Sequence, residues 1–130
     1  MVCQIGDVVA VRSTLGTEHL GVYVGPRGLY GEDVLHNDKS SCVRLACFAD
    51  FSQGRLVRIL HRVTNPFERE IVARRGLQIV GMPYDLIRFN CEHAAYYALT
   101  GQPRSPQLDG FAIGLAFIAT VFFIGSLIES

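Results

Sequence analysis

Neither sign of charge dominates this chain: 12 basic and 12 acidic side chains leave it formally neutral. That balance removes the electrostatic case for a nucleic-acid partner, and none is expected. Cysteine is sparse too. Cys3, Cys42, Cys47 and Cys91 include no C-x-x-C pair. No secretory leader is expected ahead of them, since Asp7 and Arg12 fall within the opening stretch and Val8 to Val11 is too short for a signal core. A reducing, cytosol-facing domain is expected, with Cys3, Cys42 and Cys47 as small core or loop hydrophobes and no metal or cofactor. What the chain has in plenty is apolar residues, 49% of the total, and many of them lie in residues 110–128, which carry no charge. Two parts follow: a small domain over 1–108 with a modest core, and a hydrophobic segment over 109–130.

The chemistry concentrates at Asn90-Cys91-Glu92-His93. Asn90 is a strong N-cap residue, the run to Thr100 favours helix on its inner face, and Gly101 is a usual stop, so Cys91 should open a short helix. A thiol there faces unsatisfied N–H groups and the positive end of the helix dipole, which favours the thiolate. Cys91 is therefore the candidate nucleophile, with a lowered pKa expected. His93, two residues on and about 200° around the helix, leaves from the opposite face and is not expected to be its base. The base is expected from His19 and His36, which both lie beside β-like runs, and paired strands can bring both rings to one place.

In chain order, Val8 to Val11 reads as a first strand, and Arg12 to Glu18 as a loop delivering His19. Leu20 to Val24 is a second strand, followed by a reversal at Gly25-Pro26-Arg27-Gly28. Leu29 to His36 is a third extended stretch, Asn37 to Ser41 a polar turn, and Cys42 to Leu45 a further strand. Phe48 to Phe51 with Gly54 reads as one helical turn, and Arg55 to Val63 as the next strand, with His61 as a solvated or edge histidine. Asn65, Pro66 and Glu68 mark a helix start with a capping box, and the amphipathic helix behind them buries Phe67, Ile71, Val72, Ile79 and Val80 and ends near Gly81-Met82-Pro83. Pro83 to Ile87 connects it to Asn90.

These residues resemble a known family. Gly6-Asp7 before a strand, His19-Leu20-Gly21-Val22-Tyr23-Val24-Gly25, the histidine of Val34-Leu35-His36, and Tyr84-Asp85-Leu86 followed by Asn90-Cys91-Glu92-His93 together look like the lecithin retinol acyltransferase domain. In size and order the chain is most similar to the HRAS-like suppressor group of phospholipase A and acyltransferase enzymes, down to Arg104-Ser105-Pro106-Gln107 and the hydrophobic end. The resemblance implies an α+β, circularly permuted papain-like fold, an antiparallel sheet packed with helices. It implies Cys91 as nucleophile, His19 as general base and His36 as the polar member that orients His19, with attack on a phospholipid ester to give an acyl-thioester. Two departures stand out: the interval from His19 to His36 is long, and Ala94 replaces the phenylalanine that usually follows the motif.

Two other readings compete with that enzyme. One is a catalytically idle, membrane-tethered interaction protein, like picornaviral 2A proteins with the same histidine box and Asn-Cys motif. The other is a permuted papain-like thiol peptidase. The hydrophobic end and the Asn-Cys-Glu-His form favour lipid. As a helix, residues 110–128 would rise about 28 Å, enough to cross a bilayer core. The expectation is a C-terminal, single-pass transmembrane helix that keeps the domain on the cytosolic side, with a phospholipid substrate and the bilayer as partners.

Overall fold

The computed structural model describes residues 2–14, 16–85 and 90–102. Five strands form one antiparallel sheet: β1 (Val8–Arg12), β2 (Glu18–Gly25), β3 (Asp33–Asn37), β4 (Val43–Cys47) and β5 (Val57–His61), in the order β4-β3-β2-β1-β5. Three helices complete the α+β architecture: α1 (Phe48–Ser52), α2 (Pro66–Gln78) and α3 (Cys91–Thr100). Each sheet face has its own apolar set, as the period of two in a strand requires. Val8, Ala10, Leu20, Val22, Val24, Leu35 and Val43 meet Val72 and Ala73 of α2 and Ala94, Ala95 and Ala98 of α3. On the other face Val9, Val11, Val34 and Val57 gather around Phe51 of α1.

The strand ends depart from the sequence reading at identifiable places. Arg12 pairs with Glu18 across β1 and β2, so His19 sits inside a strand rather than at the end of a loop. The third strand begins only at Asp33. Its buried carboxylate accepts the N–H groups of Leu29 (2.6 Å) and Tyr30 (2.8 Å), which curls residues 29–32 into a turn instead of extending them. Between β3 and β4 the polar turn forms as expected, with Asp38 N–H donating to Cys42 O at 2.9 Å.

Helix α2 starts where Asn65 and Pro66 place it, but the cap closes on the Phe67 N–H (2.8 Å) rather than through Glu68, and the helix stops at Gln78. Its inward face is also shifted. Phe67 is 73% exposed and Val80 46%, and the buried side chains are Val72, Ala73 and Gly76. At Gly76 the helix lies against Leu35 of β3 and Ala98 of α3, which a Cβ there would meet at 3.4 and 3.7 Å, in van der Waals contact. Beneath the start of α2, the fully buried Asp7 carboxylate is held by Arg62 through Nε (2.9 Å) and Nη2 (2.7 Å). Two parallel bonds of this kind satisfy a buried charge that would otherwise be costly.

The expected transmembrane helix over 110–128 lies outside the described residues, as do Arg104 to Gln107. Among the described residues no helix is long and apolar enough to cross a membrane.

Candidate active site

Strand register explains how two histidines 17 residues apart meet. His36 is directly opposite Gly21, and His19 lies two residues from Gly21 on the same face, so the rings are diagonal neighbours on adjacent strands. His19 Nε2 lies 3.0 Å from His36 Nδ1. Phe51 of α1 braces both, with ring centroids 5.5 Å from His19 and 5.6 Å from His36. That brace depends on Gly21, where a Cβ would fall 2.5 Å from Val34 Cγ1 and 2.9 Å from Phe51 Cε1. Sequence reasoning did not assign Phe51 to the site. Its signal was a glycine in the middle of a strand, which marks close approach by another group.

Cys91 is the first residue of α3, N-capped by Asn90 and ended by Gly101 in the left-handed region at φ 82°. The thiol donates to Glu18 O at 3.8 Å. Backbone N–H groups of Leu20, Glu92 and Cys91 itself point at the sulfur. Cys91 thus rests against the β2 backbone on both sides of His19, and among the described residues its hydrogen bond goes to Glu18 rather than to the imidazole. Cys91, His19, His36, Phe51, Tyr84 and Asn90 line one cavity of about 780 Å³, within the size range of small-ligand sites.

The proton states differ from the expectation at Cys91. Burial pushes its pKa above the ordinary value of 9.0. The three N–H groups pull it down, but burial and the neighbouring Glu92 carboxylate outweigh them. A helix N-terminus lowers a thiol pKa only where the field exceeds the loss of hydration, and here it does not. His19 is displaced from 6.5 to about 4, first by burial and then by the His36 charge. The His36 pKa is lowered too, mainly by burial, although the nearby Asp38 carboxylate opposes the shift. Thiol and imidazoles are therefore all neutral at pH 7. Tyr84, which the sequence reading left in a connection, faces this group: its phenol pKa is raised by burial and then by the charge a Cys91 thiolate would carry.

The remaining histidines are apart from this pair. His61 lies on the edge strand β5 as expected, half-buried, and bonds to the Tyr96 hydroxyl at 2.9 Å. His93 points back along its own helix, its Nδ1 accepting the Asn90 N–H at 3.0 Å. Cys3, Cys42 and Cys47 are half-buried free thiols, Cys3 packing beside the Phe51 cluster. Among the described residues no group of side chains could hold a metal ion.

An antiparallel sheet carrying paired histidines beside a helix that opens on cysteine defines a class, and comparison with known proteins supplies its name. The sequence profile described as Lecithin retinol acyltransferase matches residues 2–104. The chain belongs to that family. It is 33% identical over 78 residues to the lecithin retinol acyltransferase of the rat, Rattus norvegicus, an alignment covering 56% of this chain and 34% of the relative. The chain thus spans about a third of the curated relative it matches.

Proposed function

We propose that this chain is a membrane-anchored thiol phospholipase A and acyltransferase, acting on glycerophospholipids through an acyl-thioester on Cys91. The observation that carries the reading is the 3.0 Å His19–His36 contact in the same cavity as a thiol set against the residues flanking His19. Because His19 Nε2 is engaged with His36, its Nδ1 is the atom left to take a proton. That requires the Nε2–H tautomer of His19, donating to His36 Nδ1, so His36 fixes both the tautomer and the ring orientation.

With both partners neutral, His19 acts as a general base during attack rather than holding a preformed thiolate–imidazolium pair. In the first half-reaction the Cys91 proton passes to His19 Nδ1 as sulfur bonds to the ester carbonyl carbon. The Cys91 N–H at the start of α3 and the hydroxyl of Tyr84, which lines the same cavity, would donate to the developing oxyanion. The ester C–O bond then breaks, and His19 returns the proton to the glycerol oxygen, releasing lysophospholipid. Water or an amine acceptor resolves the thioester by the same proton path.

The histidine-bearing strands precede the cysteine helix, which supports a circularly permuted papain-like arrangement for residues 1–108. Residues 109–130 would anchor that domain at the bilayer on its cytosolic side. The test is intact mass of the full chain after incubation with phosphatidylcholine: an acyl increment mapping to Cys91 supports the reading. The raised Cys91 pKa favours one second reading, a catalytically idle membrane-tethered protein, and absence of any adduct on a folded chain would select it.

A further inference from the structure

One histidine of the cysteine motif has no part in this chemistry. His93 occupies the third position of α3, where a capping box ordinarily carries Glu or Gln. A helix start leaves four N–H groups without intrahelical partners. Here Asn90 Oδ1 takes those of Glu92 (2.9 Å) and His93 (3.1 Å), and His93 Nδ1 takes that of Asn90 (3.0 Å). The reciprocal cap does not take the Cys91 N–H, which points at the sulfur.

We propose that His93 is a positioning residue for the nucleophile: by accepting the Asn90 N–H it locks the first turn of α3 and so holds the Cys91 sulfur in register with β2. Asn90 is 6% exposed, so water cannot readily replace the imidazole as acceptor. The choice of histidine also has a physical reason. Glu92, 5% exposed, already sets a carboxylate beside the sulfur and opposes the thiolate. A Glu at position 93 would add a second negative charge to the same turn. A neutral imidazole, as the Nε2–H tautomer, supplies the acceptor without that charge. With the cap removed, the first turn frays, the sulfur shifts relative to His19, and reagents reach it more easily.

For its turnover readout the inference rests on the thiol acyl-transfer reading, so the experiment carries a second readout that does not. Full-length wild type, His93→Ala and His93→Gln, in mixed micelles, are compared for kcat and KM on phosphatidylcholine, and for the rate at which iodoacetamide alkylates Cys91. His93→Ala should lose about tenfold in kcat with KM little changed, since a small displacement of the nucleophile acts on the chemical step. Its Cys91 should alkylate several-fold faster. His93→Gln, whose amide oxygen can remake the cap, should restore both.

Alanine kinetics equal to wild type in both readouts would overturn the proposal, as would a Gln variant as damaged as Ala. Should the Ala variant fail to fold, wild-type behaviour of His93→Gln supports the cap and its loss of activity refutes it. If wild type turns over no lipid, the acyl-transfer reading fails. The alkylation arm then decides on His93 alone: acceleration in Ala reversed by Gln supports it, and equal rates refute it.

Discussion

Acidification should destabilise this protein through His19. A histidine whose folded pKa lies below its unfolded value binds fewer protons when folded, so its stabilising contribution is complete above pH 6.5 and is lost as pH falls toward the folded value. For His19 that window runs from 6.5 down to about 4. Unfolding linkage with these two values gives a loss of about 2 kcal/mol between pH 7 and pH 5, and the result changes little if the folded pKa is one unit higher. His36, shifted in the same direction, adds to the slope. In a domain of this size the His19 part alone corresponds to a fall in Tm of roughly 10 °C. The assay is thermal unfolding of the full chain in neutral detergent at pH 7 and pH 5, for wild type and His19→Gln. The glutamine does not titrate, so the variant should lose much less over that interval whatever its stability at pH 7. An equal loss in both proteins would show that the buried imidazole is not the cause.

Cys91→Ser and Cys91→Ala should abolish turnover and the acyl adduct while leaving Tm within a few degrees, and wild-type alkylation of Cys91 should be slow at pH 7 and rise steeply above pH 9, as a protonated buried thiol requires. His19→Ala should cost about a hundredfold or more in kcat/KM, whereas His36→Gln, whose amide can still hold the His19 ring, should lose less; steady-state kinetics on one lipid orders the two. Gly21→Ala should destabilise by about 3 kcal/mol in urea titration, because the added methyl meets Val34 and Phe51 on rigid elements. A chain ended after Gln107 should remain folded and act on dispersed short-chain lipid but lose most activity on vesicles, and a truncated domain that unfolds would refute the anchor.

Much of this was legible wherever a residue announces its own conformation. Asn90 and Gly101 bracket α3 to the residue, and Asn65-Pro66 opens α2, because capping chemistry is local and depends on few neighbours. The alternation of Leu20, Val22 and Val24 with Gly21 and Tyr23 marked β2 as a strand, and the helices cover that apolar set. What stayed hidden depends on tertiary partners. Phe67 looks like an anchor on a helical wheel, but the inward stripe of α2 is Val72, Ala73 and Gly76, which pack on the sheet and α3, and that docking is not written in the helix itself. The Asp7–Arg62 pair joins residues 55 positions apart with no local pattern to announce it. His93 was separable from catalysis by helix geometry, yet its role as a cap was visible only once its Nδ1 had a partner.

The proton states of the site show the same limit. Sequence position put Cys91 at a helix start, and the field there does act in the expected direction, through N–H groups of Glu92 and Cys91 joined by Leu20 from β2. Burial outweighs that field, and burial is a property of the cavity rather than of the motif. Desolvation likewise displaces His19 to about 4 and lowers His36, so one cause leaves the thiol and both imidazoles uncharged. A neutral thiol is a poor reagent for stray electrophiles. On the proposed acyl-transfer reading, an ester carbonyl close enough for proton transfer and attack to occur together would be needed, so substrate binding, not resting ionisation, would be the step that switches Cys91 on.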